Sequence, residues 1–241
     1  MQDPLTPSAG PAVTGDAARW RAGAIALVVA ALAAIAGALL RTPGVLDAWT
    51  LLHWVGKPLA TIVLLGLVWR GGHDVDERLR RGVLAGLAFS LVGDVLLMLS
   101  PALFVGGLLA FLVAHLCYLR AFTVDTRLFA RRLPLFALAI IGAAVLSYLW
   151  SGLAPALQVP VIAYVVVLVA MAAQAVARWQ VHPGPYTRMA ALGGVLFVVS
   201  DALLAIDRFR APVPAAALWV LAAYWAAQWG IAQSARGRQR Q

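Results

Sequence analysis

Apolar residues run through this chain in continuous stretches about twenty residues long, separated by short polar segments. At a rise of about 1.5 Å per residue, a helix of about twenty residues crosses about 30 Å of hydrocarbon. The stretches are unbroken rather than alternating, and rich in Leu and Ala, which favours helices over the strands of a barrel. Eight spans follow, at about 22–40, 50–69, 82–99, 102–122, 133–150, 156–177, 189–206 and 213–233. Gly and Pro punctuate them at Pro43-Gly44, Pro101, Pro134, Pro155, Pro183-Gly184-Pro185, Pro212 and Pro214. The predicted fold class is all-α, a polytopic transmembrane helix bundle forming one domain over 19–236. Residues 1–18 lack the basic start and cleavage site of a signal peptide and are expected to form a disordered tail, with 237–241 a short basic one.

Composition agrees with this pattern. The 241 residues are 63% hydrophobic and only 12% charged, far from the balance of a soluble domain. Mean hydropathy is +0.87. The net charge of +9 would fit nucleic acid, but the arginines sit in loops between spans, with no basic face carrying interleaved aromatics. Nucleic acid is therefore excluded as a partner, and anionic lipid headgroups suit the arginines better. All but three of the arginines fall in one set of loops and ends, and the opposite set holds only Arg41, Arg208 and Arg210. The positive-inside rule then places both termini in the cytoplasm, and the expected location is a bacterial inner membrane. The lone Cys117 excludes an intramolecular disulfide.

A weak internal echo relates Ala88–Leu99 to Val195–Ile206, each with a small residue and Asp before a Leu-rich stretch. Spans 1–4 and 5–8 could then be parallel repeats, related by an axis along the membrane normal.

Against this apolar background the polar residues within spans carry the chemistry. A charged side chain at mid-bilayer costs about 2.5–3.5 kcal/mol on insertion scales, so each is a functional candidate. Asp94 and Asp201 lie about 5 Å, and Lys57 about 4 Å, to the outer side of their span centres, which puts three charges in one layer. His115 and Tyr118 share one helix face, as do Tyr224 and Gln228. Lys57 with either acid could be an inert structural pair, and His115 a satisfied core histidine. However, two acids share one lysine, so one of them is expected to keep a proton, as a general acid must. Ser200 could simply bond back within its helix, and Gln228 could hold helices together. Trp20, Trp49, Trp54, Trp219 and Trp229 read as an interfacial belt. His53, His73 and His182 read as interface or loop residues. No GxSxG elbow, HExxH or P-loop occurs. One histidine with Asp94 and Asp201 makes a poor zinc site, so no metal ligands and no cofactor are expected.

Taken together, Gly56-Lys57-Pro58 with Thr61, Ser90-Leu-Val-Gly93-Asp94, Phe111-xxx-His115-xx-Tyr118, Phe197-xx-Ser200-Asp201 and Tyr224-xxx-Gln228 resemble the YhhN family of integral membrane proteins, which includes the lysoplasmalogenases. The resemblance runs from about Leu52 to Gln233; the tail and first span add nothing to it. It implies hydrolysis of the vinyl ether bond of lysoplasmalogens to a fatty aldehyde and a glycerophospho-ethanolamine or -choline, with no required metal. Its partners would be a lysolipid, water and membrane lipids. The chemistry expected is protonation of the vinyl β-carbon by one of Asp94 and Asp201, while the other stabilises the oxocarbenium ion and orients water, by analogy with the two carboxylates of glycosidases. Asp94 is the favoured acid because His115 lies on the next span. Lys57 would tune the pair or contact phosphate, and His115, Tyr118, Ser200, Tyr224 and Gln228 would position water and headgroup. Two other readings stay open: a proton-coupled carrier using the same buried acids as a relay, and a lipid-binding protein without turnover.

Overall fold

The structure is a computed structural model that describes residues 11–42, 44–71 and 75–236. Eight α-helices follow one another: α1 (Pro11–Leu40), α2 (Ala48–Trp69), α3 (Glu77–Leu99), α4 (Phe104–Ala121), α5 (Leu133–Leu149), α6 (Pro155–Val181), α7 (Pro185–Phe209) and α8 (Ala216–Gln233). No strand occurs among the described residues, as the unbroken apolar runs require. Seven of the helices are long and apolar enough to cross a membrane. Helix α8 is not among them: Tyr224, Gln228, Gln233 and three tryptophans dilute its apolar residues. The tail expected over 1–18 lies outside the described residues for its first ten positions, and from Pro11 the chain is helical. His73 and the tail over 237–241 also lie outside the described residues.

Local chemistry sets the helix ends. The Asp47 carboxylate caps α2 by accepting from the Thr50 N–H at 2.7 Å, and Asp76 caps α3 by accepting from the Arg78 N–H at 2.7 Å. Proline occupies the first turn of α5, α6 and α7, where its missing N–H costs nothing. Pro58 and Pro160 lie inside α2 and α6, which a helix within a membrane bundle tolerates.

Packing is closest within the sequential pairs α1–α2, α3–α4 and α7–α8, and α6 packs against α4, α5 and α7. The buried faces are rich in small residues, among them Ala34, Ala60, Ala172, Ala173, Ala190 and Ala227, so backbones approach closely. A Cβ on Gly193 would lie 2.6 Å from the Ala227 carbonyl oxygen, so the α7–α8 crossing depends on glycine there. The opposite faces expose large apolar side chains such as Ile25, Leu133, Ile140 and Val159, a surface suited to lipid. The tryptophans divide: Trp49, Trp54 and Trp219 are exposed, as an interfacial belt requires, whereas Trp20 is buried edge-on against Trp229, with the Arg236 guanidinium over its ring.

Between α4 and α5, the connection is held to α6 by side chains. Arg178 forks onto the Asp125 carboxylate through Nε and Nη2, both at 2.8 Å, and the Gln174 amide donates to the carbonyls of Phe122, Thr126 and Arg127. Burial pushes the Asp125 carboxyl up, but the Arg178 guanidinium outweighs it and holds the group below the ordinary carboxylate range.

Candidate active site

The helices bring the polar residues into one region. Lys57, Asp94, Tyr164, Asp201 and Tyr224 lie about 7–14 Å along their helices from a common end, the end carrying the α1–α2, α3–α4, α5–α6 and α7–α8 connections. There they line a cavity of about 320 Å³ whose walls are mostly apolar.

Asp94 is almost completely enclosed. Its Oδ2 accepts from the Thr61 hydroxyl at 2.9 Å and the Tyr224 hydroxyl at 2.7 Å, and Lys57 Nζ stands 3.5 Å from Oδ1. Three donors from two helices thus converge on this one buried carboxyl group. The lysine thus pairs with Asp94, one of the two partners its position allowed.

Asp201 is held differently. Its Oδ2 accepts from the Tyr164 hydroxyl, and His115 Nε2 lies 3.0 Å from the same hydroxyl oxygen and 3.7 Å from Oδ2. With the Tyr164 proton directed to Asp201, its oxygen accepts from His115 Nε2–H. His115 Nδ1 is buried without a hydrogen-bond partner among the described residues. The Asp201 side chain is 15% exposed against 2% for Asp94, so it is the more accessible acid in the cavity. This reverses the expected pairing, in which His115 stood with Asp94. His115 is one residue among several on α4, and the face of α4 that carries it turns toward α6 and α7.

Tyr118 and Gln228 lie deeper and do not line the cavity. The Tyr118 hydroxyl donates to Gln228 Oε1 at 2.7 Å, and Gln228 Nε2 donates to the Tyr224 hydroxyl at 3.2 Å. A chain of donors thus runs from Tyr118 through Gln228 and Tyr224 to Asp94. It forms because Gly86 leaves room for the tyrosine: a Cβ there would lie 2.1 Å from the Tyr118 ring. Ser200 lines the cavity and donates to the Val220 carbonyl on α8 at 3.0 Å, bonding to the neighbouring helix rather than its own.

Tyr164 and Thr61 were missed as site residues, although Tyr164 interrupts an apolar span just as Tyr118 and Tyr224 do. His53 was misplaced. It is buried on the cavity wall, its ring Nδ1 2.8 Å from the Ala34 carbonyl oxygen. His182 is where a loop residue should be, with its ring 2.9 Å from the Asp125 carbonyl oxygen.

The sequence model of the YhhN family matches residues 52–235. Lysoplasmalogenase TMEM86B of Homo sapiens is 36% identical over 185 residues, covering 74% of this chain and 73% of that protein. The uncharacterized membrane protein YhhN of Escherichia coli O157:H7 is 29% identical over 183 residues, covering 76% of this chain and 86% of that protein. A lysoplasmalogenase of Mycobacterium bovis is 35% identical over 145 residues, covering 57% and 53%. No solved structure matches the chain. With three quarters of its length under the family's pattern, the chain belongs to the YhhN family.

Proposed function

We propose that this chain is a lysoplasmalogenase-like hydrolase, cleaving the vinyl ether bond of alkenyl glycerophospholipids within the membrane. The observation that carries the reading is the pair of unequally partnered carboxylates on one apolar cavity, Asp94 bound by three donors and Asp201 by one. The relatives named lysoplasmalogenase supply the substrate class.

The partners divide the roles. Asp94, held by Lys57, Thr61 and Tyr224, takes the role of the fixed negative charge in this reading. Asp201, accessible and singly bonded, is the general acid, which exchanges the roles expected from the sequence. Asp201 delivers its proton to the β-carbon of the vinyl ether, and the π electrons form the new C–H bond. The α-carbon and ether oxygen become an oxocarbenium ion, stabilised by the Asp94 carboxylate. Water adds to that carbon and returns a proton to Asp201, which leaves a hemiacetal. The hemiacetal collapses as its C–O bond to glycerol breaks and its hydroxyl proton passes to the glycerol oxygen, giving a fatty aldehyde and a glycerophospho-headgroup. Tyr164 and His115 hold Asp201 and can replace its proton; Ser200 and Tyr224 border the path of water. The reading places both termini in the cytoplasm and the protein in a bacterial inner membrane, by the arginine distribution.

The test is aldehyde release from a lysoplasmalogen by purified protein in detergent, with and without a chelator, beside the double variant Asp94→Asn/Asp201→Asn. Release that survives the chelator and disappears in the folded double variant is expected. A folded double variant that keeps wild-type turnover would end the proposal. Gradient-driven uptake of chemically intact substrate into proteoliposomes would replace it with a carrier.

A further inference from the structure

The cavity wall is not uniform. On the side of α5 and α6 it is apolar, built by Val145, Leu149, Val161 and Val165. On the side of α1, and at the outer end of α7, it carries two charges that the reaction does not use, Arg41 and Asp207. Arg41 directly follows the last residue of α1 and is exposed; its guanidinium makes no hydrogen bond or ion pair with any described residue. The other two arginines of this end are committed: Arg208 lies 4.1 Å over the Phe104 ring and Arg210 lies 5.2 Å over the Tyr148 ring. Asp207 accepts from the Val213 N–H through Oδ1 at 2.9 Å, and its second oxygen has no partner among the described residues. Along α7 it stands about 9 Å beyond Asp201, toward the end of the bundle.

Resting on the hydrolase reading, we infer that Arg41 and Asp207 form the headgroup subsite of this cavity, the guanidinium taking the phosphate and the carboxylate the ammonium of a zwitterionic lysolipid. The alkenyl chain then lies against the α5–α6 wall. The vinyl ether, which joins chain to glycerol, falls between the two poles, beside Asp94 and Asp201. Arginine suits the phosphate because its planar fork donates two parallel hydrogen bonds. A carboxylate beside it accepts an ethanolamine ammonium directly and offsets the charge of a choline. Arg41 lies outside the residues matched by the family model, so the phosphate contact is a property of this chain rather than of the shared motif.

Saturated alkyl ether analogues, which contain no vinyl bond, separate this inference from the reaction. Their binding to the full chain in detergent is measured by tryptophan fluorescence for alkyl glycerophosphoethanolamine, alkylglycerol phosphate and alkylglycerol. In Arg41→Gln the preference for the phosphate-bearing analogues over alkylglycerol is expected to fall about ten- to hundredfold. In Asp207→Asn the preference for the ethanolamine analogue over alkylglycerol phosphate falls. Arg120→Gln, which removes an exposed arginine at the opposite end of the bundle, keeps both preferences. Unchanged preferences in Arg41→Gln and Asp207→Asn overturn the subsite, whether or not the wild type releases aldehyde. Altered preferences in Arg41→Gln and Asp207→Asn, beside a wild type that hydrolyses no vinyl ether, would keep the subsite and remove the hydrolase reading.

Discussion

Tyr224 on α8 donates its hydroxyl to Asp94 on α3 at 2.7 Å, across 130 positions of the chain. The second acid repeats the arrangement with other helices: Asp201 on α7 is bonded by Tyr164 on α6 and approached by His115 on α4. Asp94 likewise draws Lys57 and Thr61 from α2. Each acid therefore takes one set of partners from the preceding helix and another from the last helix of the opposite half. This crossed pattern is what a parallel repeat of spans 1–4 and 5–8 would produce, and it supports that proposal.

Replacing Asp201 with Asn removes the proposed acid while keeping the side chain's size and its bond to Tyr164. A fall in kcat of about 10²–10⁴-fold is expected, with the protein still folded. Asp94→Asn removes the fixed charge and should cost about 10²–10³-fold. Single-turnover aldehyde release measures both.

Tyr164→Phe removes the hydroxyl that bridges His115 and Asp201 without opening the cavity. Turnover should fall less than in Asp201→Asn, and the pH–rate profile should move, because the acid loses its neighbouring donor. A merely structural tyrosine would change the melting temperature and leave the pH profile where it was.

Lys57→Met leaves the buried Asp94 carboxylate without its cation, and breaking such a pair costs about 3–5 kcal/mol. Lys57→Met/Asp94→Asn should be more stable than Lys57→Met alone, because no unpaired charge remains. Thermal unfolding of the single and double variants in detergent gives the coupling. Additive losses would show that the two groups do not interact.

Asp125 gives stability a pH dependence with a definite sign. Its carboxyl is held low in the folded protein, so its pairing with Arg178 is fully present above the unfolded value of about 3.9 and is lost as pH falls through the folded one. The melting temperature should drop between about pH 4 and the lower folded pKa, and Arg178→Gln should remove part of that drop while lowering stability near neutrality. An identical acid profile in the variant would exclude the pair as its source.

Gly86→Ala should displace Tyr118 and break its bond to Gln228, because the added methyl meets the ring 2.1 Å away. Overpacking of this kind costs about 1–3 kcal/mol, read as a lower melting temperature.

Helix number, the membrane, the family and the two acids could all be read from the chain before folding. Each is written in local pattern: runs long enough to span, arginines confined to loops, and charges that are costly anywhere in an apolar span. Candidate residues were legible for the same reason, since Lys57, Asp94, Asp201 and Tyr224 stand out against Leu and Ala. Tyr164 obeyed the same rule and was overlooked. Partnership was not legible. That His115 serves Asp201 and not Asp94, that Thr61 completes Asp94, that His53 joins the cavity wall and that Trp20 is buried all depend on which helix faces meet. Those meetings are set by small residues such as Gly86 and Gly193, which let particular backbones approach, and no spacing along one helix encodes its neighbour. The sequence by itself determined which polar groups lie within apolar spans; helix packing alone decided that three donors hold Asp94 and one holds Asp201, because those contacts cross between helices.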